Sequence, residues 1–128
     1  MAYAAPVTRT EARLGGRLYI KLVIVETGVT AAGDEFTLDS LPLRGTIVEH
    51  RSVLTAGDGT ATTVDPELGA ATTTKEIFEN GAAAAAPTNL NLSKGFTGPT
   101  LYGRSGANGN TGTTGLITTT ITIMEGSL

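Results

Sequence analysis

Residues able to carry acid–base or metal chemistry are few in this chain, and they do not converge. His50 is the one histidine, flanked by Glu49 and Arg51, and cysteine is absent. A zinc site needs several His or Cys ligands at set spacings, and a nucleophilic triad needs a histidine with an identifiable partner. Neither can be assembled here. His50 therefore reads as a surface or interface histidine. The carboxylates Asp34, Glu35, Asp39, Asp58, Asp65 and Glu67 are spread over turn-like stretches, where Asp bonds nearby backbone, and they lack the spacing of a calcium loop. The expectation is a protein with no catalytic residue, no metal and no cofactor, and so not an enzyme.

The glycines Gly103, Gly106, Gly109, Gly112 and Gly115 recur at every third residue. Period three is the collagen signature, but the intervening positions carry no proline and the triplets are few. Phosphate-binding loops need a helix after the glycines, whereas the residues that follow read as a strand. The segment is expected to be a mobile or tightly folded loop between strands.

Charge is unevenly distributed. The whole chain carries a net charge of −3, yet residues 1–21 hold Arg9, Arg13, Arg17 and Lys21 against Glu11 alone. Arg9, Arg13 and Arg17 are nominated as partner-binding residues that dock on an acidic neighbour; the alternative is that they keep a frayed terminus soluble. The overall negative charge argues against a general nucleic-acid binder. No apolar run approaches the length of about 18 residues that spans a bilayer, and the first residues lack the basic-then-apolar order of a secretory leader. A chain made in the cytoplasm, with no membrane partner, is expected.

The elements that must position these residues read as strands. In Gly115–Met124, Thr118, Thr120 and Thr122 alternate with Thr119, Ile121 and Ile123, which puts hydroxyls on one face and β-branched hydrocarbon on the other. From Arg17 to Glu26, Leu18, Ile20, Leu22 and Ile24 alternate with Tyr19, Lys21, Val23 and Val25; both faces are largely apolar, so cover on both sides is expected. Asp34–Asp39 reads as a shorter strand. Leu43–Thr55 reads as another, with a bulge or kink near residues 49–51 because the apolar phase changes between Ile47–Val48 and Val53–Leu54. Residues 61–64 begin a return strand that Pro66 is expected to stop. Residues 66–100 are the least legible: 72–80 fits one or two helical turns or a short strand carrying Ile77 and Phe78, 82–86 reads as loop, and brief strands are placed at Leu90–Leu92 and Leu101–Arg104. Residues 1–16, with Pro6, Gly15 and Gly16, read as an extended N-terminal arm ahead of a single domain over 17–128.

With 128 residues, three Phe, three Tyr and no Trp, the core must be made of Val, Ile and Leu, which suits a thin two-layer β fold. The fold class expected is all-β, an antiparallel sandwich or jelly-roll-like barrel.

The short arm, the apolar first strand Leu18–Val25, the segments Gly33-Asp34-Glu35-Phe36-Thr37-Leu38 and Leu43-Arg44-Gly45-Thr46-Ile47-Val48, and the closing Thr119–Gly126 together resemble small virion proteins of tailed bacteriophages. In that group Thr/Gly/Ala-rich β domains serve as capsid decoration, or cement, proteins. The resemblance implies a domain on the outer surface of a phage capsid that binds the major capsid protein and locks subunit junctions, as a homo-oligomer located in the virion. Tail, fibre or head-to-tail connector components are the alternative reading. A carbohydrate-binding β-sandwich is a further one, against which the scatter of Tyr3, Tyr19 and Tyr102 counts.

Overall fold

The computed structural model describes residues 7–27, 35–55, 57–62, 64–69, 78–79, 88–90, 94–107 and 109–126. Among these, ten strands form two antiparallel sheets: β1 (Val7–Leu14), β2 (Arg17–Thr27), β3 (Glu35–Leu38), β4 (Arg44–Thr55), β5 (Val64–Gly69), β6 (Phe78–Glu79), β7 (Thr88–Leu90), β8 (Lys94–Thr97), β9 (Leu101–Ala107) and β10 (Leu116–Glu125). One sheet runs β1-β2-β10-β4-β7, with β8 also paired to β4; the other runs β3-β9-β5-β6. The all-β sandwich expected from the alternation is what the chain forms.

The two clearest strands of the sequence are interior. β10 lies between β2 and β4, and β2 lies between β1 and β10. Their inward residues Ile20, Leu22, Ile24, Ile121 and Ile123 meet Phe36, Leu38, Leu68 and Leu101 of the second sheet in one buried cluster. A smaller cluster of Leu54, Ala61, Val64, Ala107 and Ile117 fills the other end. Burying a β-branched or leucine side chain contributes roughly 1.5–3 kcal/mol, so these layers supply most of the drive to fold. Tyr19, Val23 and Val25, on the outward face of β2, are half-buried.

Several expectations are corrected. The arm placed over residues 1–16 is, from Val7 to Leu14, a strand paired to β2 along its whole length, Val7 opposite Ile24 and Leu14 opposite Arg17. The turn is Gly15-Gly16, at φ 60° and 81°. Two successive left-handed residues make the tight turn whose twist suits a hairpin, and glycine is the residue that adopts them without steric cost. Pro66 does not stop β5; it sits within it opposite Ser105, one residue outside the β5–β6 ladder, so its missing N–H removes no bond on that side. Residues 78 and 79 form a short strand; residues 72–77 and 80, the 82–86 run and Leu92 lie outside the described residues. β9 extends past Arg104 to Ala107, and β8 had no counterpart in the sequence reading.

The β4 irregularity is real but lies at Val48. Thr122 pairs with Glu49 and Ile123 with Ile47, leaving Val48 as the extra residue. Inward phase therefore passes from Ile47 to His50, Ser52 and Leu54, all buried. His50 is thus a core residue, 1% exposed, and not the surface or interface histidine expected.

Candidate interaction surface

The glycine-rich segment divides between a strand and a locked loop. Gly103 is in β9, where a Cβ would run into the Phe36 ring, so the glycine makes room for the aromatic side chain at the centre of the core. Residues 109–115 pack on 57–62. Asp58 Oδ1 accepts the amides of Thr113 at 2.6 Å and Thr114 at 2.9 Å, and Oδ2 accepts the Thr113 hydroxyl at 2.6 Å. These bonds hold the Asp58 carboxyl well below the usual carboxylate range, the Thr113 hydroxyl contributing most. Gly112, at φ 71°, leaves room for that carboxylate. The loop is tightly folded, and its acid is consumed in bracing it.

The interior holds a polar row. Thr119 Oγ1 lies 3.0 Å from Ser52 Oγ and 2.8 Å from Ser105 Oγ, so one hydroxyl joins two strands of the first sheet to the second. All three residues are fully buried, as is Glu26 at the end of β2. Burial pushes the His50 imidazole down to about 4, because the charged form would be stranded away from water. Among the described residues no three His, Cys, Asp or Glu side chains gather to hold a metal ion. The imidazole is enclosed in the core and held in its neutral form.

The surface with recognisable chemistry is the β1–β2 hairpin. Arg9, Glu11 and Arg13 alternate along one face of β1, opposite Leu22, Ile20 and Leu18 of β2. Arg9 is engaged within the chain: Nε pairs with Glu11 Oε2 at 3.0 Å, Nη1 donates to the Asp39 carbonyl at 3.0 Å and Nη2 to the Ser40 carbonyl at 2.9 Å. It latches the hairpin to the turn after β3, where Ser40 takes a φ of 56°. Arg13 is exposed. Arg17, opposite Leu14, points to the other face and donates from Nη1 to Met124 Sδ at 3.3 Å.

The three nominated arginines are therefore not one cluster. Arg9 and Arg13 share a face about 13 Å apart at the usual strand rise, and Arg17 lies on the reverse. What the sequence reading missed lies beside Arg17. The amide of Gly126 donates to the Arg44 carbonyl at 3.0 Å, which sets the start of β4 at the hairpin-turn end of the sheet. Leu14, 63% exposed, and Leu43, 72% exposed, are the large apolar side chains left in solvent among the described residues, and both sit at this end with Arg13, Arg17 and Arg44. A Pro42-Leu43-Arg44 step before a strand was the available signal.

The described residues form a small all-β sandwich with exposed arginine and leucine side chains at one sheet edge and one sheet end. A scan against protein-family models finds no match, and neither does a search of curated proteins. Among solved structures, the fold is similar to a chain of the cyanophage Pam1 capsid asymmetric unit, with a TM-score of 0.52 and 17% identity, covering 98% of this chain and 94% of that chain. At that identity the likeness is one of fold.

Proposed function

We propose that this chain is a structural virion protein of the decoration type, which binds the outer surface of a phage capsid and stabilises contacts between major capsid subunits. The observation that carries the reading is the near-complete mutual coverage with a capsid chain of similar length, 98% and 94%. The likeness extends over nearly the whole of both chains, which supports a shared role as a small virion component. The surface supports it as well: the arginine and leucine side chains at the turn end suit an acidic, partly apolar protein surface. Arg13, Arg17 and Arg44 are the docking cations of this reading, and Arg9 keeps the hairpin in place. Many copies on a repeating lattice would turn modest single contacts into firm attachment. The role requires no catalysis.

Titrating the purified chain onto empty heads of the cognate phage tests the proposal. Saturable co-sedimentation at a fixed ratio to the major capsid subunit is expected, with raised resistance of the heads to heat. Binding that never saturates, or recovery of the chain on isolated tails alone, would remove the decoration reading.

A further inference from the structure

β1 is an edge strand with an unusual edge. Among the described residues no strand pairs its outer side, and Thr10 to Leu14 are exposed. The Gly15-Gly16 turn makes Leu14–Arg17 a hydrogen-bonded pair, so Thr8, Thr10, Ala12 and Leu14 direct their backbone groups to β2. Val7, Arg9, Glu11 and Arg13 then direct theirs to solvent. This leaves a straight row of donors and acceptors with no proline, no bulge and no covering loop among the described residues. Charged side chains on an edge ordinarily deter pairing. Here their order selects a register.

We propose that the free edge of β1 pairs antiparallel with the same edge of a second copy of this chain, about a two-fold axis through Thr10. In that register Arg9 of each copy stands opposite Glu11 of the other, and Thr10 stands opposite Thr10. Residues whose backbone faces outward meet residues of the same kind, so the ladder closes without a gap. A shift of one residue at the symmetry centre, to Glu11, sets Glu11 against Glu11 and Arg9 against Arg13. A shift the other way, to Arg9, sets Arg9 against itself. Like charges directly opposite are destabilising and opposite charges favourable, so the Arg-Thr-Glu-Ala-Arg order of residues 9–13 is self-complementary about Thr10. An axis normal to the sheet keeps both inner faces on one side, giving one sheet continuous across two sandwiches. The inference does not depend on the capsid reading.

Two experiments decide it. In analytical ultracentrifugation the chain should show a concentration-dependent dimer. Glu11→Arg and Arg9→Glu should each weaken self-association at least tenfold, because each sets like charges opposite in both pairs. An equimolar mixture of the two variants should recover a heterodimer within about threefold of the parent, since opposite charges again face each other. The chain has no cysteine, so a single introduced thiol reports the register. Thr10→Cys should oxidise to a covalent dimer at least ten times faster than Ala12→Cys, because residue 10 alone faces its own copy at cross-strand distance. A chain that stays monomeric across the series, a mixture that fails to recover association, or Ala12→Cys cross-linking as fast as Thr10→Cys would overturn the proposal. The cysteine variants alter an exposed position only, so they remain informative if Arg9→Glu loosens the hairpin.

Discussion

Replacing Thr119 by valine removes one oxygen and keeps the branched shape, which isolates the hydroxyl bridge across the sandwich. The Thr119 oxygen shares hydrogen bonds with two buried serines, Ser52 at 3.0 Å and Ser105 at 2.8 Å, and all three residues are 0% exposed. Leaving one buried hydroxyl unsatisfied costs about 1–3 kcal/mol, and valine strands two. The extra buried methyl returns about 1 kcal/mol, for a net loss of roughly 1–5 kcal/mol. In a domain of this size each kcal/mol lowers Tm by about 4 °C, so a drop of roughly 4–20 °C is expected. The triple variant Ser52→Ala, Thr119→Val, Ser105→Ala removes every member of the row. It should lie within about 1 kcal/mol of the parent, because no hydroxyl is left stranded. Urea and thermal unfolding followed by far-UV circular dichroism measure both. A Thr119→Val protein within about 0.5 kcal/mol of the parent, or a triple variant whose loss equals the sum of its single losses, would refute the stranded-hydroxyl reasoning.

Other outcomes follow from the same geometry. His50 titrates near 4 in the folded chain against 6.5 as its ordinary value, so the unfolded chain binds the proton more readily; stability is complete above about pH 6.5 and falls as pH drops toward 4, by roughly 3 kcal/mol in all. Urea midpoints across that window should slope less in His50→Gln, and an unchanged slope would place the titration elsewhere. Arg9→Ala removes the ion pair and both carbonyl contacts, and should cost about 1 kcal/mol and speed amide exchange of Leu41, which follows the turn that Arg9 caps. Gly15→Ala and Gly112→Ala force the same left-handed backbone, but a Cβ meets nothing at Gly15 and meets the Asp58 carboxylate at Gly112. The first should cost about 1 kcal/mol and the second at least 2, and equal losses would show that the Asp58 brace contributes nothing.

By itself the sequence determined the class of fold and its central strands. In β2 and β10 the branched residues recur at every second position, and burial of one face is the sole arrangement that satisfies such a pattern. Thr119 was already legible as a residue of the apolar face, from its phase with Ile117, Ile121 and Ile123. β1 was not legible as a strand, because its faces carry Arg9, Glu11 and Arg13 on one side and Thr8, Thr10 and Ala12 on the other. No hydrophobic period marks a strand held by backbone bonds and the Arg9 latch. Only the tertiary structure decided the side taken by His50. Ile47 and Leu54 differ in parity, so an extra residue between them was required, but its place was not. With the bulge at Val48 the imidazole enters the core; one displaced past residue 50 would have left it in solvent. The same holds for the site. The sequence supplied three arginines in a row of alternating residues; pairing across β1, β2, β10 and β4 made one a latch, turned another to the opposite face, and brought Leu14, Leu43 and Arg44 to a common end. Residues 14 and 43, at the end of β1 and just ahead of β4, come to the same end of one sheet with β2 and β10 between those strands, through cross-strand hydrogen bonds between segments far apart in the chain, and local pattern carries no record of that pairing.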